Sequence, residues 1–152
     1  MSFFGALDVS ASGLSAERMR MDVTAENLAN AQTTRGANGG PYRRKEVVLQ
    51  TASSDGFQTA LASAVGGVPG SGGSQQPGGV QVAGIAEDPN APRMIYDPGH
   101  PDANAQGYVA MPNVNPVTEM VDLISASRAY EANVTAMQTA KAMFTKTFDL
   151  LR

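Results

Sequence analysis

The sequence predicts a mainly α-helical chain, with long N- and C-terminal helices forming a coiled-coil hairpin around a small β-rich, loop-rich middle segment. Apolar residues recur every seven positions at both ends, at Leu7, Leu14, Met21 and Leu28 and again at Leu123, Tyr130, Met137, Phe144 and Leu151. The positions three residues earlier complete an a/d pattern. They are Phe4, Ala11, Arg18 and Ala25 in the first run and Met120, Ser127, Val134, Lys141 and Phe148 in the second. The other observation is a shift in composition: from Thr33 to Asn115 large apolar residues are sparse and Gly and Pro frequent, so this stretch is expected to bury little. Chain ends ordinarily fray, so patterning concentrated at the ends points to assembly rather than catalysis.

The first helix is expected to start at a Ser2 N-cap and to run to about Ala31. Gly5 and Gly13 weaken it by up to about 1 kcal/mol each relative to alanine, so it needs a packing partner. Its end falls in Asn-Leu-Ala-Asn-Ala-Gln-Thr-Thr, where Asn30 is suited to the left-handed conformation that stops helices and Thr33 and Thr34 favour extended chain. Asn27 lies inside the helix, where a hydrogen bond to a neighbouring helix competes with solvent exposure.

A polar, Gly-rich turn over 34–42 leads through Pro41 into a strand beginning Tyr42-Arg43-Arg44-Lys45. Residues 57–65 are expected to form a short helical or irregular piece. Residues 66–79, GGVPGSGGSQQPGG, cannot support a core and predict a surface loop. The segments starting at Val80 and Arg93 read as the two strands of a hairpin with a proline-rich connection. Asn115-Pro116 is a helix start, with Asn as N-cap and Pro at the first helical position. No Gly or Pro follows it, so the second helix is expected to reach about Leu151, with Ala129, Ala132, Ala136 and Ala140 forming a narrow flank of small side chains. The chain thus divides into an N-terminal helix with its corner (1–34), a β-rich middle (35–115) and a C-terminal helix (116–152). With Arg18, Ser127 and Lys141 on the seam, an isolated hairpin is expected to be marginal and to gain stability from neighbouring subunits.

Composition excludes several function classes. Lys plus Arg number 11 and Asp plus Glu 14, a net charge of -3 that lacks the basic footprint of nucleic-acid or anionic-membrane binding. There is no cysteine, hence no disulfide, thiolate nucleophile or cysteine metal site. No stretch approaches the 18 or more apolar residues of a membrane span, and the N-terminus does not read as a Sec signal, so export without a cleaved signal is expected. The single histidine, His100, sits in Asp97-Pro-Gly-His-Pro-Asp, whose spacing matches no metal or nucleophile template and which Pro and Gly explain as turns. No enzyme, cofactor, metal or small-molecule substrate is expected.

Ala25-Glu-Asn-Leu-Ala-Asn-Ala-Gln-Thr-Thr resembles the N-terminal signature of the rod and hook proteins of the bacterial flagellum, with Asn27, Leu28, Asn30, Thr33 and Thr34 as its signature positions. Gly39-Gly-Pro-Tyr-Arg-Arg-Lys, the stretch from Gly107 to Asp122 and Ser127-Arg-Ala-Tyr-Glu-Ala-Asn narrow the resemblance to the proximal-rod members of that family. It covers roughly residues 1–50 and 93–152, and the Gly-rich insertion at 66–79 departs from it. The resemblance implies a structural subunit of the flagellar basal-body rod, located in the periplasmic space and forming part of the drive shaft and export conduit. It implies assembly with copies of itself and with other rod subunits, and secretion by the flagellar type III export apparatus. The nine apolar heptad residues are then the assembly seam, and Tyr42, Arg43, Arg44 and Lys45 become candidate inter-subunit contacts. The competing readings are another axial subunit of distal-rod or hook type, for which the middle is short, and a secreted coiled-coil assembly protein.

Overall fold

The structure, a computed structural model, describes residues 3–36, 39–52 and 78–150. The Ser2 cap, Leu151, the 57–65 piece and positions 66–77 of the Gly-rich loop lie outside the described residues, as do the side chains of Phe4 and Phe148. Two long helices, α1 (Phe3–Ala29) and α2 (Pro116–Leu150), enclose in chain order β1 (Lys45–Thr51), β2 (Val80–Glu87), β3 (Arg93–Tyr96) and β4 (Tyr108–Met111). The strands form two separate two-stranded antiparallel sheets, β1 with β2 and β3 with β4. No described helix is long and apolar enough to cross a membrane.

The helices pack on each other more extensively than any other pair of elements, and α1 also rests on β1 and β2. A Cβ built on Gly13 would lie 2.9 Å from Asn133 Nδ2, while Asn27 Nδ2 donates to Glu119 Oε2 at 3.1 Å. The two contacts are two heptads apart on both helices, 13 to 27 on α1 and 133 down to 119 on α2, so the helices run in opposite directions. Asn115 starts α2 as the sequence predicts: its Oδ1 accepts from the Val117 N–H at 3.0 Å and its carbonyl from the Glu119 N–H at 3.1 Å.

The line of closest packing differs from the sequence-based seam. Ala16, Val23 and Asn27 on α1 and Glu119 and Ala126 on α2 are fully buried. By contrast, Leu7, Leu14, Met21, Leu28, Leu123, Tyr130 and Met137 are half-buried, and Ala11, Arg18, Ala25, Met120 and Lys141 are exposed. On α2 the buried row is displaced by one residue, to 119 and 126 in place of 120 and 127. Small side chains explain the difference. Gly13, Ala16 and Ala126 let the backbones approach closely, whereas the bulky heptad residues stand beside that line.

Three further expectations are corrected. The β2 strand pairs with β1, Val47 opposite Ile85, with a bulge between Val48 and Leu49. The predicted partner of β2, β3, pairs instead with β4, Ile95 opposite Val109. The middle also contributes more to the core than its composition suggests, because Val109, Pro112 and Val114 are fully buried. Finally, no described non-glycine residue has positive φ, so Asn30 does not end α1 in a left-handed turn. Its Nδ2 instead donates to the Glu26 carbonyl at 2.9 Å, and its Oδ1 accepts from the Thr33 hydroxyl at 3.1 Å. The side chain thereby adds a second hydrogen bond to a last-turn carbonyl that already accepts from the Asn30 N–H at 3.0 Å.

Candidate assembly site

Beyond the end of α1, Tyr42, Arg44 and Lys45 come back against the helix that the chain has just left. Asn27, 1% exposed, uses its full hydrogen-bonding capacity there. Its Nδ2 donates to the Lys45 carbonyl at 2.8 Å and to Glu119. Its Oδ1 accepts from the Lys45 N–H at 2.9 Å and from the Tyr42 hydroxyl at 2.8 Å. Glu119, also 1% exposed, receives Arg44 Nε on its other oxygen at 2.6 Å. Arg44 further approaches Asp122 and Glu46, each at 3.7 Å. Among the described residues no buried side-chain nitrogen or oxygen is left without a partner, the condition under which a buried polar cluster is tolerable.

Electrostatics follow from this geometry. The hydrogen bond to Glu119 holds the Arg44 guanidinium above its usual pKa. Burial, and then the nearby charges of Glu26, Glu119 and Glu87, push the Tyr42 phenol up to about 12. Lys45 Nζ pairs with Glu26 at 2.6 Å and lies 5.7 Å from the centre of the Tyr42 ring. Of the four residues singled out at 42–45, three therefore face the chain's own helices, and only Arg43 is exposed. The turn that carries His100 is likewise tied inward: Asp102 accepts from the Thr34 hydroxyl at 2.9 Å and pairs with Arg35 at 3.1 Å. Among the described residues no group of three or more His, Cys, Asp or Glu is arranged to hold a metal.

The surface of the helix pair carries what the interior lacks. Leu7 and Leu14 of α1 and Val134, Met137 and Phe144 of α2 line one shared groove of about 590 Å³. Tyr130 lines a neighbouring depression with Leu14 and Met19. On the first turns of α2, Val117, Met120, Val121 and Ile124 are exposed at 64%, 45%, 60% and 54%. Their i, i+3, i+4, i+7 spacing places them on one side of the helix. Five of the nine heptad residues are thus gathered around one face of the pair, namely Leu7, Leu14, Tyr130, Met137 and Phe144; Met21, Leu28 and Leu123 are half-buried elsewhere along it. Sequence reasoning missed Glu119, the hub of the junction. The signal available was an acidic residue in the first turn of α2, an ordinary macrodipole partner.

A two-helix shaft with apolar outward grooves, whose polar groups are consumed in bracing its own joints, has the make-up of a structural assembly subunit. Two family descriptions match the parts that build this shaft: "Flagella basal body rod protein" over residues 7–37 and "Flagellar basal body rod FlgEFG protein C-terminal" over 105–150. The chain is 49% identical to the flagellar basal-body rod protein FlgC of Bacillus subtilis, covering 99% of each chain. It is 43% identical to that of Yersinia enterocolitica over 99% of this chain and 98% of the relative. Against that of Borreliella burgdorferi it is 40% identical over 100% and 99%. The chain belongs to the FlgC family of flagellar basal-body rod proteins, and its function is structural, as a rod subunit.

Proposed function

We propose that this chain occupies the proximal rod in the periplasmic space, and that it joins copies of itself and other rod subunits through the outward faces of α1 and α2. The observation that carries this reading is the row of large apolar side chains on those faces, the groove of Leu7, Leu14, Met137 and Phe144 together with the Val117–Ile124 stripe. Apolar surface of this kind, left open on one chain, is characteristic of interaction sites. Neighbouring helices laid into it complete the coiled-coil packing that the heptads specify. Contacts of this type join unlike surfaces and so propagate into an open tube rather than closing a ring.

On this reading residues 1–34 and 116–152 form the shaft that transmits torque and surrounds the export conduit, and residues 35–115 elaborate its outside. Arg43 is the member of the basic run placed to meet an acidic neighbour. The flagellar type III apparatus exports the chain unfolded, without a cleaved signal. Helices that need neighbours for full stability suit a chain that must thread a channel before it polymerises, and a chain without cysteine forms no cross-links in an oxidising compartment.

Electron microscopy of basal bodies from a strain lacking the gene tests the reading. Basal rings that stop short of a rod, and are restored by complementation, are the expected result; complete rods in the deletion strain would refute it.

A further inference from the structure

The closest-packed line between α1 and α2 is poor in features that fix sliding. On α1 it runs through Gly13, Ala16 and Val23, and on α2 through Ala126 and the approach to Asn133. Small, smooth side chains of this kind pack almost equally well when one helix moves by a heptad. Asn27 and Glu119 are the fully buried polar residues on that line. Displacing α2 by one heptad brings opposite Asn27, in place of Glu119, either Ala126 of the helix or Pro112 of the segment that precedes it. Neither side chain can accept from the Asn27 amide, and the displaced Glu119 is drawn away from Arg44, which β1 and its approach hold at the end of α1.

We infer that the Asn27–Glu119 pair is the register pin of the helix pair: it selects one alignment of α1 on α2 by leaving buried polar groups unsatisfied in every other. A buried polar residue on an apolar seam acts in this way at a cost in stability. Arg44 fixes the pin from the side, so that the register of the two helices and the position of β1 are set by one junction. The pin also determines which residues of α1 and α2 face each other across the Leu7–Phe144 groove. That consequence rests on the assembly reading above, whereas the pin itself is a property of the single chain.

The absence of cysteine allows spin labels to be attached at two exposed sites, Ala25→Cys on α1 and Thr135→Cys on α2, with dipolar distances measured on the full-length chain in solution. The native junction is expected to give one distance maximum, and Glu119→Gln, which still accepts from Asn27, is expected to keep it. The pair Asn27→Leu with Glu119→Leu is expected to retain helicity by circular dichroism but to show a second maximum or a broad distribution, because a heptad slip moves a helix about 10 Å along its axis. A single native distance in the leucine pair would overturn the inference. So would several distances in the native chain, or loss of helicity in the leucine pair while Glu119→Gln stays folded, since the junction would then supply stability and not alignment. Assembly in cells does not enter this measurement, so it separates failure of the pin from failure of the proposed rod contacts.

Discussion

Arg44 and Glu119, 75 residues apart in sequence, meet at 2.6 Å between Nε and Oε1 with the carboxylate 1% exposed. The contact joins the approach to β1 to the first turn of α2, and through Asn27 it reaches the end of α1. Three segments that are remote along the chain therefore share one set of charges.

Removing one member should damage the fold more than replacing the pair. Arg44→Ala leaves a buried carboxylate with only the Asn27 amide, a loss of about 3 kcal/mol. Arg44 is partly solvated and also near Asp122 and Glu46, so Glu119→Leu, which strands the arginine, is expected to cost less. Arg44→Met combined with Glu119→Leu is expected to be milder than Arg44→Ala. Urea unfolding monitored by circular dichroism measures all three.

The Tyr42 phenol gives a pH dependence with a definite sign. Its value in the folded chain is raised to about 12 from the ordinary 10. The unfolded chain therefore loses this proton first, and stability present below pH 10 is lost as pH rises towards 12. Tyr42→Phe removes that contribution, together with the hydrogen bond to Asn27 Oδ1, worth about 1 kcal/mol. The difference between native and Phe chains in urea midpoint should shrink between pH 10 and 12; a constant difference would contradict the assignment.

Both helices and the Asn115-Pro116 start are legible in the sequence because they depend on local periodicity and capping. The junction is not, because Asn27 finds its partners 18 and 92 residues away. Arg44 in a polar run has the pattern of a solvated strand, and Glu119 that of a first-turn acid. Strand pairing is not legible for a related reason: β2 and β3 are neighbours in sequence, yet β2 pairs with β1 in a sheet that rests on α1, while β3 pairs with β4 through the 97–107 turn. The heptad rows identify helices correctly but rank large apolar side chains above small ones, and close approach at Gly13, Ala16 and Ala126 reverses that ranking.

Gly13 is where that approach can be probed. Alanine there gains about 1 kcal/mol of helix propensity but places its methyl 2.9 Å from the Asn133 amide. The amide ends a side chain that can shift, so Gly13→Ala should change stability little, whereas Gly13→Leu should separate the helices and destabilise by about 1–3 kcal/mol. Adding Asn133→Ala to Gly13→Ala should raise the melting temperature above that of the native chain. Thermal melts of the three variants decide this.

Gly107 has φ 81° beside Tyr96, and a Cβ there would lie 2.9 Å from the ring. Tyr96 in turn packs edge-on against Tyr108 with ring centres 5.3 Å apart. Gly107→Ala combines left-handed strain of about 1–2 kcal/mol with this clash. Amide exchange is expected to accelerate in β3 and β4 and in the 97–107 turn, and to remain unchanged in the middle of α1.

Phe144 separates folding from assembly. It is 37% exposed on the rim of the groove that it shares with Leu7, Leu14 and Met137, so a polar replacement gives up intramolecular burial worth about 1–2 kcal/mol. If a neighbouring subunit covers the groove, the same replacement places a carboxylate in a desolvated apolar interface, a penalty of several kcal/mol repeated at every copy. Phe144→Asp is therefore expected to leave expression and helicity close to native and to abolish rod formation and motility. Phe144→Leu, which keeps the apolar contact, is expected to preserve both. Swimming assays with electron microscopy of basal bodies read the outcome, and a motile Phe144→Asp strain would show that this groove is not a subunit contact.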